Sequence, residues 1–593
     1  MRILGICPSH DSSVCVINDG KIEFFAKEER LSGVKRDILA KMCLDLVHKI
    51  YGSNSIDYAT YSWQQFEDGR RTLMIEKIVR SKFGRTLKEP RPWVKNNHFQ
   101  HHLNHAAVAF YNSGFEEALT FVIDRNGTEM FVDSNTHYRE AESVFHCKYP
   151  NNFITLQKNF WASREFDPVP QKVLEYVQHL DTEYDVTRRF SIVRAYEAAT
   201  TMINQDALEN GKTMGLYSYG ENIDYEPLFD ANFRPIDSMF EEITFEKNPG
   251  VPTSCFKGCE GQITPHVTKE NYQKYANWAK QVQLETQRAA LGLIRKHVVK
   301  TGIKNVCISG GYGLNIVANA FYIKNLPDVK FYFEPLSDDT GSSIGCAMNL
   351  YRQLTNDDKI YVPENNFYHY YEETDLETEI YHSIKHVDVD ELSNILIDQK
   401  IISVFQGAPE AGPRALGHRS ILFDPRNQNG KDIINTLKKR EWYRPFAGIV
   451  LEEHFGKYFN TMGLSKSEYM TINFDCKEGV KDYIPTIVHV DNTCRVQTVG
   501  KKDSFLYELL SCFYEKTGCP ILLNTSFNLA GRPLVQTKKE ALVFMRELEI
   551  EVPFEGVFFV DEKELVSIIS GLKHMFMNKK SSYLPLSQRL SRS

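Results

Sequence analysis

Strand-like apolar runs alternate with helix-like amphipathic ones along most of this chain, and the alternation lapses once, at Thr355–Glu373, into TNDDKIYVPENNFYHYYEE. Strands interleaved with helices require a sheet covered by helices, so the pattern restricts the chain to an α/β architecture. The polar, aromatic break with its single proline predicts a boundary between two lobes. Residues 1–354 make the first lobe in this reading, residues 366–572 the second, and residues 573–593 a basic tail holding Lys573, Lys579, Lys580, Arg589 and Arg592 without an acidic residue. A chain of 593 residues holds about three to four average domain equivalents, or two large lobes.

The first strands are predicted at Arg2–Cys7, Ser13–Ile17 and Lys21–Ala26, with Asn18-Asp19-Gly20 as a tight hairpin turn. Asp37–Tyr51 and Tyr275–Thr301 carry helical periodicity, and Leu119–Ile123, Asn305–Ile308, Val329–Phe333, Lys400–Phe405 and Ile521–Asn524 read as strands. A net charge of −7 argues against a surface given over wholly to nucleic acid, while leaving room for a local basic groove. The 12 cysteines contain no CxxC, and Cys255 and Cys259 are the nearest pair. Such usage fits reduced thiols of a cytoplasmic protein. The start MRILGICPSHD lacks the basic opening and long apolar core of a signal peptide, and no apolar run reaches membrane-spanning length. The expectation is a cytoplasmic protein without a membrane partner.

Gln100–Gly114, reading QHHLNHAAVAFYNSG, places His101 and His105 four positions apart in a segment predicted as helix. Side chains at that spacing lie above one another, so both imidazoles can reach one cation. Asp124 follows the strand Leu119–Ile123 and Asp339 follows Val329–Phe333, each just past a strand end, where ligands of α/β sheets gather. The alternative is a pair of surface or capping histidines.

Further candidates sit on turns. His10-Asp11-Ser12-Ser13 forms a polar turn between the first two strands. Gly211–Leu216, reading GKTMGL, offers Lys212 and Gly215 for close approach to a phosphate. Ser309–Asn315, reading SGGYGLN, follows a strand and opens a helix, which makes Gly310, Gly311, Gly313 and Asn315 an anion-site candidate. Purely structural glycines remain the alternative for each loop. In the second lobe, EAGPRALGHRS carries Arg414 and Arg419, KKREWYRPFA carries Lys438, Arg440 and Arg444, CRVQTV carries Arg495, and NTSFN carries Asn524, Ser526 and Asn528. Guanidinium groups grip phosphate or carboxylate through paired N–H donors. A structural salt-bridge network is the competing explanation for any one of them.

Taken together, HDSS, EERLSGVKR, QHHLNHAA, IDRNG, GKTMGL, SGGYGLN, SDDTGSSIG, EAGPRALGHRS, KKREWYRPFA, CRVQTV and LLNTSFN occur in the order seen in the O-carbamoyltransferase family. That family includes tobramycin, cephalosporin and nodulation-factor carbamoyltransferases, and the resemblance runs from the first strand to about Val560. It implies an actin/hexokinase-type (ASKHA-like) N-terminal lobe and a YrdC-like α/β C-terminal lobe. It further implies that carbamoyl phosphate and ATP react in the second lobe, on Arg414, Arg419, Lys438, Arg444 and Arg495, to give carbamoyl adenylate. Transfer to an acceptor hydroxyl then takes place in the first lobe. There the resemblance places a metal on His101, His105, Asp124 and Asp339, nucleotide contacts from SGGYGLN and GKTMGL, and His10 near the acceptor. The family implies iron, and manganese, zinc or magnesium are the other divalent candidates for two nitrogen and two carboxylate donors. The chain departs from the family pattern at Gly531-Arg532-Pro533, at Gly448 and in a longer Met130–Arg188 region.

Two acceptor classes fit the resemblance: a small-molecule hydroxyl on a sugar or natural product, and the hydroxymethyl group of a modified pyrimidine such as 5-hydroxymethylcytosine, free or in DNA. Arg70–Asn97 bears on the second, because basic residues are interleaved there with Phe83 and Trp93, the composition of a single-strand groove. A basic solvated helix is the plainer reading. A homodimer is compatible with the sequence. A non-catalytic, actin-like ATP-binding regulator would account for the first lobe and leave the arginines of the second unexplained.

Overall fold

The computed structural model describes residues 1–62, 69–84, 100–133, 136–162, 182–188, 191–203, 209–222, 227–236, 267–372, 384–548, 553–560 and 565–569. The basic tail, Arg85–Asn97 and the middle of the Met130–Arg188 region lie outside them. Among the described residues no helix is long and apolar enough to cross a membrane.

The first lobe is built on two sheets of related design. In one, β1 (Arg2–Cys7), β2 (Ser13–Asn18) and β3 (Lys21–Lys27) form an antiparallel meander, and β4 (Tyr58–Tyr61) joins β1 in parallel, giving the order β3-β2-β1-β4. Asp19 and Gly20 both take positive φ in the β2–β3 turn, the two-residue geometry that matches strand twist. The second sheet holds β5 (Glu117–Ile123), β6 (Glu129–Asp133), β7 (Thr136–Lys148), β8 (Asn152–Ala162), β9 (Glu183–Arg188), β10 (Asn305–Ser309) and β11 (Lys330–Phe333). Its order β11-β10-β5-β7-β8-β9 again places an antiparallel three-strand meander (β5, β7, β8) beside later parallel strands. This repetition of meander plus parallel crossover is the actin/hexokinase-type duplication.

The second lobe is one mixed, nine-stranded sheet comprising β12 (Ile384–His386), β13 (Ile401–Gln406), β14 (Arg419–Phe423), β15 (Ala447–Leu451), β16 (Asn473–Asp475), β17 (Thr493–Val499), β18 (Ile521–Ser526), β19 (Phe554–Val560) and β20 (Leu565–Ile569). A single apolar core runs without interruption from Leu119, Phe121 and Ile308 of the second sheet to Ile402, Ile449 and Leu522 of this lobe. The segment after the helix Ser342–Thr355 is not a free tether. It lies along the first sheet through Tyr370 N–H to Phe25 O (2.7 Å) and reaches the second lobe through Ala411 N–H to Asn366 O (2.8 Å).

One local expectation is corrected. The helix read from the sequence as Asp37–Tyr51 begins at Lys41, after a stretch in which Arg36, Leu39 and Ala40 hold positive φ. Its first free amides are satisfied from another element: the Glu28 carboxylate accepts Met42 N–H (2.7 Å) and Cys43 N–H (2.9 Å).

The basic run also resolves in part. Gly69–Phe83 is a helix whose Ile75, Val79 and Phe83 are fully buried in the core beneath the first sheet, while Lys77 and Arg80 face outward. Phe83 packs edge-on against His48 and offers no face to a base. This half of the segment is a basic solvated helix rather than a stacking groove.

The helix Gln100–Ser113 carries the histidine motif through the interior, buried on every side from His101 to Asn112. Gly345, in the helix Ser342–Thr355, makes its placement workable. A Cβ at Gly345 would lie 1.9 Å from Asn104 O, so only glycine lets the two helices approach this closely. The contact draws the chain just after Asp339 onto the turn that bears His101 and His105.

Candidate active site

His101 and His105 come from the buried helix, Asp124 from the end of β5, and Asp339 from the turn after β11. The structure brings all four together, with one donor atom from each lying within 4.8 Å of the others. The Nε2 atoms of the two histidines are 3.2 Å apart. Asp339 Oδ1 stands 3.4 Å from each of them, and Asp124 Oδ2 lies 3.7 Å from His101 Nε2. Neighbours fix the carboxylates from behind: Gly311 N–H donates to Asp124 Oδ1 (2.9 Å) and Ser9 Oγ donates to Asp339 Oδ2 (2.7 Å). Burial alone would push the His101 imidazole down, but Asp339 and Asp124 hold it up at about 10. Two buried carboxylates facing two imidazoles thus form a site that demands positive charge. Two nitrogen and two oxygen donors suit a divalent transition metal. The residues fit the metal that the family resemblance implies.

His10 and Asp11 lie beside this quartet. His10 Nδ1 is 3.2 Å from Asp11 Oδ2, and its Nε2 is 3.9 Å from Asp339 Oδ2. Asp11 itself has φ +59, which turns the chain sharply between β1 and β2.

A cavity of about 640 Å³ opens from these residues and continues into the second lobe. Its walls carry His10, Asp124 and Asp339 of the first lobe and Arg414, Lys438, Arg440, Arg444 and Arg495 of the second. In this cluster Arg444 lies 3.4 Å from Glu441. The Nε atoms of Arg414, Arg440 and Arg495 are buried without a hydrogen-bond partner among the described residues. Burial, with Arg414 and Arg444 beside it, pushes Arg495 down to about 9, and burial with Arg444 outweighs the nearby Asp338 carboxylate to push Arg414 down to about 10. Cations crowded in this way favour an anionic ligand. The loop presenting Arg414 is organised by Glu410, whose Oε1 accepts the amides of Leu416, His418 and Arg419 at 2.7, 3.0 and 3.2 Å.

Other sequence-derived candidates have different settings. Arg419, expected to contact ligand, is placed away from the cavity. It is fully buried, is not among the cavity walls, donates to the carbonyls of Gln406, Gly407 and His418, and lies 3.4 Å over the Phe405 ring. Lys438 borders the cavity, yet its Nζ donates to the Ser526 carbonyl and hydroxyl and to Asn528 O and Oδ1, pinning the NTSFN turn. Asn524 Nδ2 holds Ala415 O (3.1 Å) and so buttresses the Arg414 loop. Gly310 and Gly313 do not border the cavity. A Cβ on them would meet Ile123 O at 2.5 Å and Ser337 Oγ at 2.5 Å, so both permit close packing. Gly311 and Asn315 do border it, and Asn315 also caps the helix Ile316–Asn325 by accepting Ala318 N–H. GKTMGL is a short helix, Asn210–Leu216. Gly215 there brings the first lobe against Pro445, and Lys212 lies 2.8 Å from Glu441.

Sequence reading overlooked Arg30 and the Arg125–Glu197 ion pair (2.8 Å), all of which border the cavity. EERLSGVKR was the available signal for Arg30, but nothing in that string shows which of its charges turn inward.

Two family descriptions match the sequence: Carbamoyltransferase N-terminus over residues 67–348 and Carbamoyltransferase C-terminus over residues 393–561. The chain belongs to the carbamoyltransferase family. Nodulation protein NolNO of Sinorhizobium fredii is 25% identical to this carbamoyltransferase, over 93% of this chain and 79% of that protein. Nodulation protein NolO of Bradyrhizobium diazoefficiens is 27% identical over 78% and 79%, respectively. Among solved structures, full-length HypF in its phosphate- and nucleotide-bound form overlaps 60% of this chain and 46% of that one, at 14% identity and a TM-score of 0.36.

Proposed function

We propose that this carbamoyltransferase uses ATP and carbamoyl phosphate to carbamoylate the hydroxyl group of a small-molecule acceptor. The reading rests on one observation: a single cavity is lined by Arg414, Lys438, Arg440, Arg444 and Arg495 of the second lobe and by Asp124 and Asp339, the two carboxylates of the histidine–aspartate quartet. Arg414, Arg444 and Arg495 hold carbamoyl phosphate and the triphosphate of ATP. Water cleaves carbamoyl phosphate to carbamate and inorganic phosphate. A carbamate oxygen then attacks the α-phosphorus of ATP, the bond to the β-phosphate breaks, and pyrophosphate leaves. In the first lobe the acceptor oxygen attacks the carbamoyl carbon, the bond to AMP breaks, and the acceptor proton passes to His10.

His101, His105, Asp124 and Asp339 would hold a divalent metal, iron in the family reading, whose charge would offset that of the departing AMP phosphate. Gly311 and Asn315 border the cavity beside that quartet and are assigned to nucleotide contact, with Lys212 and Gly215 across from them. Burial of Phe83 removes one of the two aromatic platforms that a single-strand groove in this region would use, which favours a small acceptor over a base in DNA.

The test supplies full-length, metal-loaded protein with ATP, carbamoyl phosphate and a panel of hydroxyl compounds that includes 5-hydroxymethyl nucleosides and oligonucleotides. Expected are ATP–pyrophosphate exchange that requires carbamoyl phosphate, and a carbamoylated small molecule by mass spectrometry. Exchange that ignores carbamoyl phosphate would overturn the reaction, and product formed only on the oligonucleotides would overturn the acceptor class.

A further inference from the structure

Glu441 is the acidic side chain at the seam of the cavity, and the reaction above gives it no part. Its Oε1 lies 2.8 Å from Lys212 of the first lobe and its Oε2 lies 3.4 Å from Arg444 of the second, and all three residues border the cavity. It is half-buried, at 29% side-chain exposure, and burial would raise its carboxyl, but Lys212 and Arg444 hold it below its usual range. The carboxylate is therefore ionised, with one cation from each lobe.

We propose that Glu441 is a positioning residue that keeps Lys212 and Arg444 from capturing the anionic adenylate at the seam, so that it passes on to the quartet. The inference rests on the two-step reaction proposed above. Carbamoyl adenylate carries a negative phosphate, and Lys212 and Arg444 border the same cavity as Arg414, Arg495, Asp124 and Asp339. Without Glu441, Arg444 would lose its carboxylate and Lys212 would be left with the field of Glu209. That deepens a well for the intermediate, and a well on the path slows the next step as it tightens binding. With Glu441 between them, both cations are partly neutralised. They can hold an arriving phosphate briefly and return to the carboxylate when it moves on. The same pairing ties the lobes across the cavity, so the charge balance and the width of the passage are set by one side chain.

The test is Glu441→Gln, which keeps the shape and removes the charge, in full-length metal-loaded protein. Rapid-quench kinetics would follow radiolabelled carbamoyl phosphate with ATP, and discharge of the adenylate to water would be read as AMP release. The expected result is a several-fold lower KM for carbamoyl phosphate, AMP release slowed about tenfold, and accumulation of enzyme-bound carbamoyl adenylate. Glu441→Asp should recover most of the release rate. Adding Lys212→Gln to Glu441→Gln should recover part of it, because one cation of the well is gone. Unchanged KM and release rate in Glu441→Gln would overturn the inference. So would a parallel loss of exchange and release that Asp does not rescue, the mark of a strut between lobes. Wild-type protein run alongside separates the two levels of failure: absence of carbamoyl phosphate-dependent exchange there overturns the reaction itself, and the inference with it.

Discussion

Replacing Asp339 with alanine is expected to empty the metal site and slow acceptor carbamoylation by roughly 100- to 1,000-fold, the range seen when a group that stabilises transition-state charge is removed. Asp339 Oδ1 is equidistant from both histidine Nε2 atoms at 3.4 Å, so its loss leaves His101 and His105 without the carboxylate that faces them jointly. The quartet would then have one carboxylate, Asp124, and the attraction for a divalent ion falls accordingly. Formation of carbamoyl adenylate should survive, because Arg414, Arg440, Arg444 and Arg495 belong to the second lobe and the quartet to the first. Metal content by elemental analysis and ATP–pyrophosphate exchange, measured on one preparation, check both halves. His101→Ala should behave alike. A variant that keeps its metal, or loses exchange and transfer equally, would contradict the assignment.

Arg495→Ala is expected to do the reverse: exchange falls about 100-fold or more while metal content is unchanged. Arg495 is buried beside Arg414 and Arg444, which with burial push it down to about 9. An arginine held in a structural salt bridge would lower stability when removed, since its partner would be left charged and alone. Here burial and the two neighbouring guanidiniums hold the folded pKa below the unfolded one, so the charged group disfavours folding at neutral pH. Removing Arg495 should therefore leave the melting temperature unchanged or higher, even as activity is lost. Arg414→Ala should lose exchange as well. A large drop in melting temperature with exchange intact would return these residues to a structural role.

The quartet was legible in the sequence because its geometry is local at each step. Four-residue spacing fixes His101 above His105, and strand ends fix Asp124 and Asp339. What the sequence could not show was how they are drawn together, which depends on Gly345 admitting the backbone of Asn104. Both sheets were legible as alternations, and the duplicated order only in the paired strands. The arginine-rich motifs misled in one place. Arg419 lies two residues from Gly417 in the same motif as Arg414, but as the first residue of β14 it points into the lobe and stacks on Phe405. Adjacency in a motif gives no orientation; pairing in the sheet does. Lys438 illustrates the same limit, since a lysine beside two arginines reads as a phosphate ligand until its four acceptors in the NTSFN turn are seen. The helix start at Lys41 was hidden because its cap, Glu28, is supplied from outside the helix.

That one cavity serves both reactions is the claim on which the rest depends, and mixing two disabled enzymes tests it directly. His101→Ala should make the adenylate without discharging it, and Arg495→Ala should discharge without making it. If the intermediate travels inside one molecule, an equimolar mixture with ATP, carbamoyl phosphate and acceptor stays as inactive as either variant alone. Recovery of a substantial share of wild-type product in the mixture would show that the adenylate crosses between molecules through solvent, and would contradict the shared cavity as its route.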